Sequence, residues 1–461
     1  MAAPPTELAP RPEAATAGER QPWPKPAEAR YAVAVFAIGL TFLFLDRGVL
    51  PLLVEPIKHD LHVSDTMVGL LMGPAFIFFY LILGLPIARL VDSRSRRAII
   101  AFSIGAWSIM TAATGLTRNF LIMLLCRVGV GVGEAGNGPA TYSMMADLFP
   151  PERLSRAISF MQFGFVAGNG LATILTGAII AWLSASRVYH VPVLGEMHGW
   201  QLTFFVVGLP GLIVTALAMR MIEPARRGRM RAAQAAVGRR AIPVREVLRY
   251  MAQNWGAYTS MFLGLAFQAI VTFGILNWAP TFFVRTYHWT IPHYAYLSGA
   301  LFLILFAVGL IPGSLFGEWL TRRGYKSAYL LVTVLTNTVY VPLAIILPLM
   351  PNGTLAMVVM GASFLVSGFS PGPQNAALQL ITPNEMRGQV TALFLFIFNV
   401  FGTGLAPFVI GLVTNYVVGS EAKVGESIML TAAVLGPISV AIMWLGIRPY
   451  ARSVARSESW S

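Results

Sequence analysis

Apolar residues run along this chain in long blocks, without the every-other alternation of a half-exposed strand. A membrane-crossing helix needs about 20 predominantly apolar residues. Twelve blocks meet that length, at about 31–53, 64–88, 98–117, 119–146, 157–183 and 200–221, then 255–283, 292–316, 327–350, 354–381, 388–415 and 426–447. The pattern predicts an all-α polytopic membrane protein, with six spans over 30–221 and six over 251–447. Three polar stretches remain. Residues 1–29 are rich in Pro and Ala and lack an apolar h-region, so they are expected to be a disordered cytoplasmic tail rather than a signal peptide. Residues 222–250 form a basic connection, either an amphipathic helix on the anionic leaflet or a solvated linker. Residues 448–461 form a second cytoplasmic tail.

Composition strengthens this picture. The chain is 56% hydrophobic and 11% charged, whereas an average soluble domain is about 25% charged. The net charge of +13 raises the question of nucleic acid, but the location of the charges answers it. Of the 33 Lys and Arg, 26 fall in the tails and in the connections that share their side, five on the opposite side, and two within spans. That asymmetry puts both termini in the cytoplasm of a plasma (inner) membrane protein, and explains the basic charge without nucleic acid. The lone Cys126 excludes an intramolecular disulfide, and the six histidines lie outside the apolar runs or, for His293, at the very edge of one, without metal-ligand spacing. No metal, cofactor or catalytic residue is expected, and nothing resembles a nucleophile–base pair, so the chain does not read as an enzyme.

The two halves echo each other. "ARLVDSRSRRA" (Ala88 to Ala98) follows the second span and "GEWLTRRGYKS" (Gly317 to Ser327) the eighth. Pro150 and Glu152 after the fourth span are matched by Pro383 and Glu385 after the tenth. Such recurrence implies two parallel six-helix repeats around a central pathway. The first of these loops resembles the signature loop of the major facilitator superfamily. Asp92, Arg96 and Arg97 match the pattern, while Ala88, Ser93 and Ser95 depart from it; the second copy keeps Gly317, Arg322 and Gly324 but has Thr321 in place of the acid. The resemblance implies a twelve-helix transporter, in which Asp92, Arg96 and Arg97 gate the cytoplasmic side by capping and pairing with helix ends. Within that superfamily, "FLDRGVLPLLVEPIKHDLHVSDTMVGLL", "RVGVGVGEAGNGPATYSMMADLFPPERLSRAIS" and "NWAPTFF" resemble the Spinster-like branch.

Four ionisable residues lie deep inside the apolar spans, all in the first half: Asp46 and Arg47 on span one, Arg127 and Glu134 on span four. An intramembrane charge costs ~2.5–3.5 kcal/mol or more and normally faces a cavity or a partner. At ~1.5 Å of rise per residue, Asp46 and Arg127 fall at similar depths, which predicts an Asp46–Arg127 ion pair, and Glu134 follows two turns deeper on the same face. Burial and a neighbouring guanidinium act in opposite directions on a carboxylate's proton affinity. Glu134 and Asp46 are therefore expected to carry a coupling proton, with Arg47 and Arg127 pairing with them or with an anionic substrate. The second half offers neutral polar groups for the cavity, among them Asn277, Ser367, Asn375 and Asn399.

Aromatic residues near these charges (Phe42, Phe44, Phe76, Phe78, Phe79 and Tyr80) suggest an amphipathic cavity. The Spinster-like resemblance implies a lysophospholipid or a sphingosine-1-phosphate-like lipid as substrate. A monomer carrying protons and a small amphiphilic or anionic substrate among membrane lipids follows. An organic-anion or sugar-acid proton symporter, or a drug/proton antiporter, of the same fold is the alternative. One motif dissolves in this context. "GVGEAG" (Gly131 to Gly136) has the spacing of a dinucleotide-binding loop, which requires a preceding strand. Here it lies mid-span, so Gly129 and Gly133 are expected to let helices pack closely.

Overall fold

The computed structural model describes residues 23–184, 187–192, 194–226 and 243–457. Twelve helical spans cross it: Pro26–Leu52, Asp65–Gly84, Arg96–Thr114, Phe120–Leu148, Arg156–Leu183 and Gly199–Met219, then Trp255–Tyr287, Ile291–Arg322, Ala328–Leu349, Gly353–Leu380, Arg387–Val418 and Glu421–Ser457. They are called spans one to twelve below. Side-chain oxygens start several of them: Ser64, Ser95, Asn119, Thr290 and Asn352 each accept a bond from a first-turn amide, satisfying donors that no helical carbonyl can reach.

Two boundaries differ from the sequence reading. Span one starts at Pro26 inside the expected tail, where Pro at the first helical position and Glu28 in the first turn favour helix. Span twelve runs on to Ser457 through Arg448, Arg452 and Arg456, because arginine and alanine sustain a helix beyond the apolar run. The basic connection contains a short helix, Val244–Gln253; residues 227–242 lie outside the described residues, as do 1–22 of the expected tail. An antiparallel hairpin, Val188–Val191 with Gly195–His198, joins spans five and six and adds a small β element to the all-α expectation.

The core divides in a way that shapes the molecule. At the end away from the termini, one apolar cluster draws on both halves, including Leu50, Leu53, Val68 and Phe204 with Trp278, Phe282, Phe283 and Ile410. At the end bearing the termini the core is divided by half: Phe36, Ile100, Trp107 and Met144 cluster in the first, and Tyr258, Leu265, Leu330 and Tyr450 in the second, which also holds a small cluster of Leu320, Ala328 and Val332. The halves are thus fused at one end and separate at the other. Close backbone approach makes the fusion. A Cβ on Gly73 would lie 1.9 Å from the Gly404 carbonyl oxygen, joining spans two and eleven, and one on Gly299 would lie 2.6 Å from that of Gly170, joining spans eight and five. Small residues permit such helix contacts in a bilayer.

Candidate functional site

A cavity of about 970 Å³, counting its open mouth, lies between the halves. Spans one, two, four and five contribute Phe44, Arg47, Phe76, Arg127 and Asn169; spans seven, eight, ten and eleven contribute Phe273, Asn277, Phe302, Phe364 and Thr403. Both charged residues belong to the first half. The facing wall is aromatic with a few neutral polar groups.

Span one positions its two charges differently because successive helix residues point about 100° apart. Arg47 faces the cavity, with its side chain 24% exposed, and donates from Nη2 to Glu134 Oε2 at 2.5 Å and from Nε to the same oxygen at 3.1 Å. Its guanidinium lies 4.6 Å from the centre of the Phe76 ring, a cation–π distance. Because both donors converge on one oxygen, the buried Glu134 Oε1 has no hydrogen-bond partner. Asp46 turns the other way, into the packing of the first half, where Thr111 of span three donates to its Oδ1 at 2.5 Å. Its Oδ2 is buried without a hydrogen-bond partner.

These pairings correct the expected Asp46–Arg127 ion pair. Depth along the helix axis ignores the length of an arginine, and Arg47 reaches inward from Asp46's level to the deeper Glu134. Arg127 instead donates from Nε to the Leu71 carbonyl at 3.4 Å, and its Nη1 is buried with no hydrogen-bond partner. Leu71 stands at the end of the first segment of span two, Asp65–Met72, where the non-helical Gly73 breaks the helix before it restarts at Pro74. Asp46, Arg47, Arg127 and Glu134 do come together in one polar cluster, with three orphaned buried polar atoms among them. Thr111 was missed, since nothing in its sequence context separates it from the many threonines that bond their own helix.

Among the neutral candidates, Asn277 lines the cavity. Ser367, Asn375 and Asn399 are not among its lining residues; all four donate to a carbonyl of their own helix, Phe273, Phe364, Pro371 and Leu395 respectively, and Asn375 is exposed and Asn399 half-buried. Asparagine and serine placed on a helix readily bond back to the preceding turn. The glycines of span four act as packing faces. A Cβ on Gly129 would meet Met110 Sδ at 2.6 Å and one on Gly133 the Trp107 nitrogen at 2.7 Å, both on span three. Gly131, on the opposite side, would meet the Phe76 carbonyl oxygen at 2.3 Å. Helix packing thereby holds Glu134 and Phe76 on either side of Arg47.

At the end bearing the termini, Arg96 is buried and knits the first half together. It pairs with Asp147 of span four, donates from Nε to Glu223 Oε1 at 3.0 Å, and from Nη2 to the Pro224 carbonyl at 2.6 Å. The Arg97 amide donates to Glu223 Oε2 at 2.8 Å and its Nη1 to the Met221 carbonyl at 3.2 Å. Burial pushes the Glu223 carboxyl up, but the bonds from Arg97, Ser95 and Arg96 outweigh it and hold it below the usual carboxylate range. The Asp92 side chain lies outside the described residues. Arg96 and Arg97 thus bind the second-to-third connection to the segment after span six; the partners Asp147 and Glu223 were not singled out from sequence.

At the opposite end, sequence reading missed an ion cluster that crosses between the halves. Arg285 of span seven donates to Glu55 Oε1 at 2.7 Å and to Asp65 Oδ2 at 2.6 Å. Lys58 pairs with Asp65 and with Glu421 of the second half, and the Thr66 amide donates to Asn415 at 2.8 Å.

Twelve spans in two halves, a cavity between them and charge confined to one wall define a multi-pass membrane transporter. The sequence matches the Major Facilitator Superfamily over residues 36–407, and the chain belongs to that superfamily. It is similar to an MFS-type efflux pump of Mycolicibacterium smegmatis, 26% identical over 93% of this chain and 95% of the relative. It is also similar to the probable galactarate/D-glucarate transporter GarP of Escherichia coli, 23% identical over 86% and 89%. Its fold matches that of a bacterial homologue of the human lysosomal transporter Spinster, solved inward-facing and unoccupied. The TM-score is 0.77 at 23% identity, covering 94% of this chain and 99% of that one. The Spinster-like likeness drawn from the sequence thus recurs in the fold.

Proposed function

We propose that the protein is a proton-coupled secondary transporter of an amphiphilic anion, working by alternating access across the plasma membrane with both termini cytoplasmic. The observation that carries this reading is Arg47: one guanidinium faces the cavity while bonded to a buried carboxylate with a spare oxygen. When Glu134 takes up a proton, its hold on Arg47 weakens and an anionic substrate group can take its place. When the substrate leaves, Arg47 returns to the carboxylate and the proton is released. Asp46 serves as a second proton station, and Arg127 holds positive charge nearby. With the termini inside, the fused end is extracellular and the opening faces the cytoplasm.

The lining favours an amphiphile over a polyhydroxylated acid. Phe44, Phe76, Phe273, Phe302 and Phe364 supply apolar surface, whereas a sugar acid needs donors and acceptors along its length. A lysophospholipid or a sphingosine-1-phosphate-like lipid has the matching charged head and apolar tail. The names of the relatives, an efflux pump and a sugar-acid transporter, keep a drug/proton antiporter and a hexarate symporter as competing readings.

The test is a thermal-shift series on the purified chain at pH 5.5 and 7.5, with lysophosphatidylglycerol, glucarate and a cationic amphiphile as ligands. Stabilisation by the lysolipid alone, stronger at the lower pH, is expected. A shift with glucarate or the cation and none with the lysolipid contradicts the reading.

A further inference from the structure

At the end bearing the termini, a second groove of about 980 Å³, counting the open space at its mouth, lies on the outside of the bundle between spans seven and twelve. It is separate from the central cavity, and its lining is graded. Arg452 and Arg456 stand at one end, one helical turn apart and so on the same face of span twelve. Asn254 and Ser453 sit beneath them, joined by a bond from Ser453 Oγ to Asn254 Oδ1 at 2.9 Å. The other end is apolar, with Ile442 and the 78% exposed Leu445. The distance along span twelve from Arg456 to Ile442 is about 21 Å. Close packing makes the floor: a Cβ on Gly446 would lie 2.1 Å from Ser260 Cβ, so the two helices touch there with nothing between them.

The helix Val244–Gln253 borders this groove and runs into Trp255. Val244 and Leu248 fall on one side of its wheel and are 63% and 52% exposed, and Trp255, the first residue of span seven, is 70% exposed, while Val247 is buried against the second half's core. Arg245 and Arg249 are exposed on another side, with Glu246 the one acid between them. An exposed apolar stripe beside arginines, ending in a tryptophan at the start of a span, is the composition of a helix lying in a membrane interface.

We propose that this groove binds one anionic phospholipid of the leaflet on the termini side, its phosphate between Arg452 and Arg456 and an acyl chain along Leu445 and Ile442. The charge gradient along the groove selects the occupant. A zwitterionic lipid brings its own cation against the arginines, and a free anion leaves the apolar end uncovered. The bound lipid would tie the interfacial helix to spans seven and twelve and so make the second half sensitive to leaflet composition. The site is independent of the transported substrate.

The test uses the full chain in a neutral detergent, titrated with dioleoylphosphatidylglycerol, dioleoylphosphatidylcholine or inorganic phosphate. The phosphatidylglycerol is expected to raise the apparent Tm by about 3–5 °C more than the phosphatidylcholine. That difference should vanish in Arg452→Gln/Arg456→Gln and persist in Arg452→Lys/Arg456→Lys. Equal shifts for the two lipids in the unaltered chain overturn the proposal, as does a difference that survives the glutamine pair or is reproduced by phosphate alone. Photoactivatable phosphatidylglycerol on the unaltered chain needs no variant: crosslinks should map to 253–260 and 442–456, and crosslinks confined to the central cavity contradict the site.

Discussion

Arg47 is held by geometry that leaves it replaceable. It gives two donors to one oxygen of Glu134 and rests on the face of Phe76, so the amide of Glu134→Gln still offers it an acceptor and folding should survive. Arg47→Gln acts differently, since it strands a buried carboxylate; breaking a buried pair this way costs about 3–5 kcal/mol. Its melting temperature should therefore fall well below that of Glu134→Gln, and equal melting would show that the pair contributes nothing. Asp46 depends on Thr111. Thr111→Val should lower the melting temperature, because it strands a buried carboxyl oxygen at a cost of about 1–3 kcal/mol, while Thr111→Ser restores it. The four charges were legible in the sequence because each breaks an apolar run. Their pairing was not, because it depends on side-chain reach and on the direction each residue faces, and a threonine partner leaves no mark in a sequence full of helix-bonded threonines.

Spans two and four work as a unit around that pair. Gly131 lets the backbone of span two come close enough for Phe76 to sit under Arg47. Gly131→Ala places a methyl group 2.3 Å from a backbone oxygen and should cost about 1–3 kcal/mol of overpacking. Gly84→Ala, with nothing within 4 Å, should be neutral or slightly stabilising, and a comparison of melting temperatures checks both. The connection after span two makes a second unit through Glu223. Because its folded carboxyl is held below the ordinary value of roughly 4.3, its contribution is fully present above that value and is lost as pH falls through the depressed one. Hydrogen exchange at residues 94–98 should rise in that acidic window, and Glu223→Gln should remove the dependence. The spans and the paired loops were readable from apolar run length and recurrence. The hairpin was too short and too near a proline to register, and the cavity-facing role of Asn277 alone among four candidates required knowing which helix faces point inward.

The whole molecule is closed at one end and split at the other, and the sequence contained this only in part. Recurrence between the halves implied two bundles, but the end at which they fuse is set by glycine contacts and by the cluster of Asp65, Arg285, Lys58 and Glu421, which no local pattern brings together. Arg285→Gln removes the bonds to Glu55 and Asp65 at once. Spin labels at positions 118 and 423, in a Cys126→Ser background, should then show a longer distance population that the unaltered chain lacks; an unchanged distribution would show that the cluster does not hold that end shut. In the proposed mechanism Glu134 couples substrate movement to a proton. Proteoliposomes carrying the unaltered chain or Glu134→Gln, loaded with a labelled lysophospholipid, test it by comparing exchange at equal pH with accumulation driven by an imposed pH gradient. This mechanism predicts that both proteins exchange substrate and that only the unaltered chain accumulates it. Gradient-driven accumulation by Glu134→Gln at the unaltered rate would contradict it.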